Sequence, residues 1–185
     1  TFAMKQPDGT VYPKVPSALV ADPESLRLDT ASGNLLWVSE GDRSLTATPA
    51  RVIDPFIREI RADGGHVREY TLPAMFKMSA SDAGPRSNAV FEGITLTPTK
   101  AKTVVIMEGA LFQDAAPPST TAGSVSRITV FDRATGIASA QYAYPLDKVQ
   151  AEPVPAGSFT GDGPTEILAL AEARQRGRVR LHRGA

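Results

Sequence analysis

Three short segments of the chain share one pattern: "ESLRL" at 24–28, "EGITL" at 92–96 and "EILAL" at 166–170 each open on a glutamate and carry apolar residues at the third and fifth positions. The glutamates stand 68 and then 74 residues apart. Apolar residues two apart mark a strand with one buried face, and self-similarity at a fixed long period marks a tandem-repeat fold. In the first two copies a second apolar run follows and ends on a second glutamate, "LLWVSEG" at Glu40 and "VVIMEG" at Glu108, in both cases 16 residues after the first.

The likeness continues downstream, where "IREIRADGGHVREYTLP" (57–73) resembles "ITVFDRATGIASAQYAYP" (128–145). Each reads as a strand, a turn closed by Gly65 or Gly136, and a strand that carries Tyr70 or Tyr142 and ends at Pro73 or Pro145. A unit thus holds four strands in about 70 residues, the signature of a β-propeller blade whose innermost strand borders a central channel. The expectation is an all-β propeller of four-stranded blades, a single domain over 1–185 with units at about 22–85, 86–160 and a partial 161–185. No segment sustains a helical period. The best helix candidate, "EILALAEARQR" from Glu166 to Arg176, begins with residues that match the two strand segments.

If the glutamate-headed segments are innermost strands, Glu24, Glu92 and Glu166 sit at one rim of the channel, and the returning hairpins bring Glu40 and Glu108 to the same rim. Carboxylates crowded in this way repel unless a cation neutralises them, and hard oxygen ligands in a flexible ring suit Ca²⁺. The competing reading is that each glutamate only solvates a loop at a strand end.

The stretches "DPESLRLDTASGNLLWVSEGD", "SNAVFEGITLTPTKAKTVVIMEGALFQD" and "YAYPLD" resemble the phytase-like family, described by the esterase-like activity of phytase and found mainly in exported bacterial proteins. The resemblance runs from about Asp22 onward and is most specific at Asn88, Phe91, Glu92 and Gly93 and at the acidic "VSEGD". It implies a propeller with an acidic, calcium-binding centre, hydrolysis of phosphoesters or esters, and an exported, periplasmic or extracellular location. Glu24, Glu40, Glu92 and Glu108 fall on the family's acidic positions, and the motif assigns catalysis to none of them.

Around such a centre, Arg86 and Arg43 are placed to steady phosphoryl oxygens, and Asn88 either donates to a ligand or caps the turn into the strand. Both arginines are equally readable as surface residues. Asp162 precedes Glu166 much as Asp22 precedes Glu24; Asp162 reads as turn chemistry, and Asp22 stays open. Trp37 and Phe91 are expected to pack between neighbouring blades. Pro117-Pro118 with "STTAGS" reads as a loop between the second and third strands of its unit, and "DAGPRSN" as a loop entering the inner strand.

Other chemistries find no support. There is no cysteine, no G-x-S-x-G elbow and no phosphate-binding G-x-x-x-x-G-K-[ST] loop. The two histidines, His66 and His182, lie far apart on expected outer strands, so a Ser-His-Asp triad is not expected. Lysine plus arginine (20) balance aspartate plus glutamate (20) with no basic stripe, which argues against nucleic acid as a partner. No run is long and apolar enough for a transmembrane segment, and the amino terminus lacks a secretion-signal pattern, so in an exported protein the signal is already removed.

A closed propeller needs at least about four blades, whereas two and a half units are legible here. From Glu166 the next glutamate, Glu172, is only 6 residues on, and "GRVRLHR" follows at once where a third strand is expected only after a further loop. The chain is therefore expected to be a fragment, joined pieces of a longer protein, or a shortened copy. Its leading function is a calcium-dependent hydrolase of a small phosphoester or ester. The alternatives are a non-catalytic binding or scaffolding propeller with structural calcium, and a lactonase-like propeller hydrolase with one divalent ion.

Overall fold

The computed structural model describes residues 3–13, 21–158, 160–171 and 178–183. Among the described residues, apart from one 3-10 turn at Ala74–Phe76, every regular element is a strand, and every strand pair is antiparallel. The first unit forms a four-stranded sheet from β1 (Pro23–Leu28), β2 (Leu35–Ser39), β5 (Phe56–Ile60) and β6 (His66–Glu69), in that order. Between β2 and β5 the chain makes a separate two-stranded ribbon, β3 (Asp42–Ser44) and β4 (Arg51–Ile53), which the repeat did not announce.

The second unit is an uninterrupted meander of β7 (Phe91–Leu96), β8 (Lys102–Met107), β9 (Ser124–Asp132) and β10 (Ala138–Leu146). The expected likeness of the outer strands is visible in the pairing: Tyr142 stands opposite Ile128, and the Tyr70 N–H donates to the Ile57 carbonyl. Pro117-Pro118 lies in the β8–β9 connection and "DAGPRSN" leads into β7, as read from the sequence.

The third unit agrees with one expectation and corrects another. Pro164–Leu170 is strand β11, as the match of "EILAL" to the other two strand segments suggested; the rest of the helix candidate, with Glu172, lies outside the described residues. "GRVRLHR" does not await a missing loop, because β12 (Arg178–Arg183) returns directly against β11, with Glu166 opposite His182. His182 is thus on the strand next to the first one of its unit, whereas His66 is on the outer strand β6 as expected.

Three apolar clusters explain why these segments are strands. β8, rich in β-branched residues, is buried on both faces. One face puts Val105 and Met107 into a core with Leu36, Val38 and Ile57 of the first sheet. The other puts Val104 and Ile106 against Ile167 of β11. Phe91 is buried between the two large sheets, but Trp37 packs with Phe56 on the far face of the first sheet, beneath Met4 and Tyr12 of the amino-terminal segment. Both are core residues; only Phe91 sits between units.

β1, β7 and β11 lie side by side, joined by side chains rather than by a ladder. The Ile94 N–H donates to Ser25 Oγ (3.3 Å), Arg27 Nε donates to the Ile94 carbonyl (2.9 Å), and the Ala169 N–H donates to Thr95 Oγ1 (3.2 Å). β7 and β11 approach so closely at Gly93 that a Cβ there would fall 2.7 Å from the Ile167 nitrogen, which is why the second copy reads "EGITL".

A charge network ties the same sheets at the other end of β1. Asp29 and Glu59 of the first unit are 2% and 4% exposed, and one guanidinium of the second unit serves both: Arg133 Nη1 to Asp29 Oδ2 and Nη2 to Glu59 Oε1, each 3.1 Å. Lys100 adds a contact to Asp29 (3.2 Å), and Arg68 one to Glu59 (2.9 Å). Burial pushes the Asp29 carboxyl upward, but hydrogen bonds from Ser32, the Ala31 N–H, Arg133 and Lys100 outweigh it and hold the group well below the usual carboxylate range.

Two outcomes are expected in urea unfolding. Arg133→Met, which leaves two buried carboxylates without their shared cation, should destabilise the fold by about 3 kcal/mol, and adding Asp29→Asn and Glu59→Gln should recover much of the loss. Gly93→Ala should cost about 2 kcal/mol, because backbone rather than a flexible side chain stands in the way of the new methyl group.

Candidate metal centre

The register of the first hairpin in each large sheet determines where the glutamates point. In β1–β2, Pro23 pairs with Ser39 and Ser25 with Val38, which leaves Glu24 as the extra residue of a bulge. In β7–β8, Phe91 pairs with Met107 and Gly93 with Ile106, which leaves Glu92 in the same position. A bulge re-aims the side chain it carries, so both glutamates are turned out of the strand alternation at the mouth of their hairpins. The second glutamates close those mouths: the Glu40 N–H donates to the Asp22 carbonyl (3.1 Å), and the Glu108 N–H to the Val90 carbonyl (2.7 Å).

The two mouths are joined by Glu40, whose Oε1 accepts the Val90 N–H across the sheet boundary (2.8 Å). Two carboxylate groups result, Asp22 with Glu24 and Glu40, and Glu40 with Glu92 and Glu108. In each, one oxygen per residue lies within 4.8 Å of the others. Glu40, common to both, is 2% exposed. Burial raises the carboxyls of Glu24, Glu40, Glu92 and Glu108, and the negative charge of neighbouring carboxylates raises them further. The Val90 N–H pulls the other way on Glu40 without overcoming burial.

Among the described residues no lysine or arginine makes an ion pair with any of these five carboxylates. The contrast with Asp29 and Glu59 is chemical. There the protein supplies the countercharge; here it supplies only hard oxygen donors, the set that fits Ca²⁺ or another hard divalent cation.

Of the five glutamates expected to converge, four do, and Asp22 joins them. Glu166 does not: its Oε1 lies 2.7 Å from Arg27 Nη2 and accepts the Ile167 N–H (2.8 Å), and Ser25 Oγ stands 3.4 Å away. The cause is a shift of one residue. In β11–β12 the irregularity falls between Pro164 and Glu166, so Thr165 takes the bulge position and Glu166 is an ordinary paired residue.

Beside Glu108 opens a cleft of about 120 Å³ lined by Arg86, Asn88, Ala89, Pro118, Thr160 and Asp162 among others. Arg86 and Asn88 therefore share the cleft with Glu108. Asn88 has φ 52°, the left-handed conformation that asparagine tolerates, so it makes the turn as well as lining the cleft. Arg86 donates from Nη2 to the Ala115 carbonyl (2.9 Å) and lies over the Phe112 ring. Arg43 lies against the same Phe112 ring as Arg86 but does not line the cleft: its Nε donates to the Ser79 carbonyl (2.9 Å), and its Nη2 reaches Ala80, Ser81 and Asp82, so it holds the 79–82 loop. Asp162, read as turn chemistry, also lines the cleft.

The family model Phytase-like, described as "Esterase-like activity of phytase", matches residues 1–182. No curated protein and no solved structure matches the chain.

A raised carboxyl pKa means that the folded protein retains protons which the unfolded chain, with its ordinary value of 4.5, has already released. The stability this gives is complete below that value and is lost as pH rises. The metal-free protein should therefore show a thermal midpoint that falls between about pH 5 and about pH 8, and Glu92→Gln should flatten the slope relative to the parent. A variant with an unchanged slope would show that the cluster does not control it.

Proposed function

The chain belongs to the phytase-like family, and on that footing we propose that it is a calcium-dependent hydrolase of phosphoesters or related esters acting at the carboxylate cluster. The carrying observation is the set of Glu24, Glu40, Glu92 and Glu108 with Asp22, gathered from two sheets and paired with no lysine or arginine among the described residues. We propose that Ca²⁺ is held there by these side chains. Bound, it supplies charge neutralisation and Lewis acidity at a substrate oxygen.

The residues of the chain have separable tasks in this reading. Glu40, fixed by the Val90 N–H, sets the geometry of both carboxylate groups. Arg86 and Asn88 line the cleft that begins at Glu108 and are the groups that orient substrate oxygens. Arg43 acts at one remove, by holding the 79–82 loop. The propeller, with units at about 22–85, 86–160 and 161–185, belongs to the same proposal. It is supported by two sheets with a shared strand order, first strands side by side and apolar packing on both faces of the second sheet. Export to the periplasm or beyond is proposed from the family alone; no described helix is long and apolar enough to cross a membrane.

A second reading has its own support. Because the cluster spans two sheets, an ion in it would also brace one against the other, as in a binding or scaffolding module.

Calorimetric titration of the chelator-treated protein should show calcium binding that weakens at least about tenfold in Glu92→Gln, a change of about 1.4 kcal/mol. Turnover of a generic phosphomonoester and of a carboxylic ester should vanish with chelator and return with calcium. Calcium binding that raises the thermal midpoint without any turnover would favour the scaffolding reading, and turnover of a lactone alone would favour a lactonase.

A further inference from the structure

We infer that the cleft beside Glu108 is built for a compact, uncharged carboxylic ester and excludes polyphosphorylated molecules; the inference rests on the hydrolase reading above and names its substrate class. Three observations carry it. The first is size. At about 120 Å³ the cleft is well below the roughly 300–1,000 Å³ of pockets that enclose drug-sized ligands, so it accommodates a small acyl or alcohol group rather than a substituted ring.

The second is the wall. Ala89, Gly109, Ala110, Pro117 and Pro118 make much of the wall apolar, a surface that gains from removing apolar groups from water, and Ser87, Asn88 and Thr160 add neutral polar groups and no charge. The third is charge. Two acids, Glu108 and Asp162, line the cleft against one cation, Arg86, whose Nη2 is committed to the Ala115 carbonyl and whose plane lies over Phe112. Behind Glu108 the acidic cluster continues into Glu40 and Glu92, whose carboxylates share one group with it. A polyphosphate is bound by several free guanidinium forks or ammonium groups, and the described lining offers none in that number.

The reaction balances without a further reagent. Water adds across the ester, the acyl C–O bond breaks, the water oxygen becomes the second oxygen of the carboxylic acid, and a proton passes to the departing alcohol. The carboxylate product leaves a negative site unaided, since like charges repel at close range.

The test uses the full chain loaded with calcium. kcat/KM for p-nitrophenyl acetate should exceed that for p-nitrophenyl phosphate at least about tenfold, and Asp162→Lys should move the ratio toward the phosphate by a similar factor. Ser87→Trp, which fills the cleft from its exposed wall, should lower kcat/KM for the acetate ester at least about tenfold while calcium affinity by calorimetry stays within about twofold. Binding of two unreactive probes supplies a readout independent of turnover: acetanilide, a neutral amide, should bind at least about tenfold more tightly than phenylphosphonate. Should no ester turn over while acetanilide is still preferred and Ser87→Trp abolishes its binding, the hydrolase reading falls and the selectivity of the cleft stands. Preference for phenylphosphonate, or for the phosphate ester, overturns the inference.

Discussion

Buried charge must be neutralised, and this chain answers that requirement in two opposite ways at the two ends of one strand. At the far end of β1, Asp29 is buried and surrounded by Ser32, Lys100 and Arg133, and its charged form is strongly favoured. At the near end the carboxylates crowd together from the exposed Asp22 and Glu24 through the half-buried Glu92 and Glu108 to the buried Glu40, and no described lysine or arginine pairs with any of them. Five steps along the extended chain separate the two, roughly 16 Å at the strand rise. A sequence that places Arg133 and Lys100 so well for the one cluster does not omit arginine from the other for want of basic residues, of which it has 20. In the proposed reading, the near end takes its countercharge from a cation in solution.

The device that gathers those carboxylates is a bulge, and its sensitivity to register explains the one glutamate that strays. In β1 and β7 the extra residue of the bulge is the glutamate itself. In β11 the same irregularity falls one residue earlier, and a period-two strand converts a shift of one into a change of face. Glu166 is then available to Arg27 of β1, and the ion pair helps to bind first strand to third while β7 fills the space between them.

Letters reveal spacing but not register, and this decides what was legible in the sequence. Glu24, Glu40, Glu92 and Glu108 could be found because two hairpins of equal length repeat the same pair, and equal length implies equal closure. Glu166 matched by letter and differed by bulge position, which no composition or period exposes. Asp22 stayed open because aspartate before proline is also turn chemistry; what makes it a neighbour of Glu24 and Glu40 is hairpin closure, through the Glu40 N–H to its own carbonyl. Arg43 looked well placed after "SEGD", but its donors are spent on the carbonyls of a loop 36 residues away, and such long-range bonds leave no local signal. The amino-terminal cover over Trp37 was hidden for the same reason.

The two hairpin mouths are alike in backbone and unlike in what leans on them. Glu40 receives the Val90 N–H of the next unit and is sealed. At Glu108 the next unit offers Gly163, where a Cβ would lie 2.6 Å from the Glu108 Cγ, so only glycine lets the chain pass. Yet no hydrogen bond reaches the Glu108 carboxylate among the described residues, and the side chain lines the cleft instead. Repetition built two equivalent acid pairs, and the contact with the following unit made them different, one a fixed support and the other the edge of an opening. A site needs both, because the same carboxylate cannot be locked in place by the backbone and also present itself to an entering molecule.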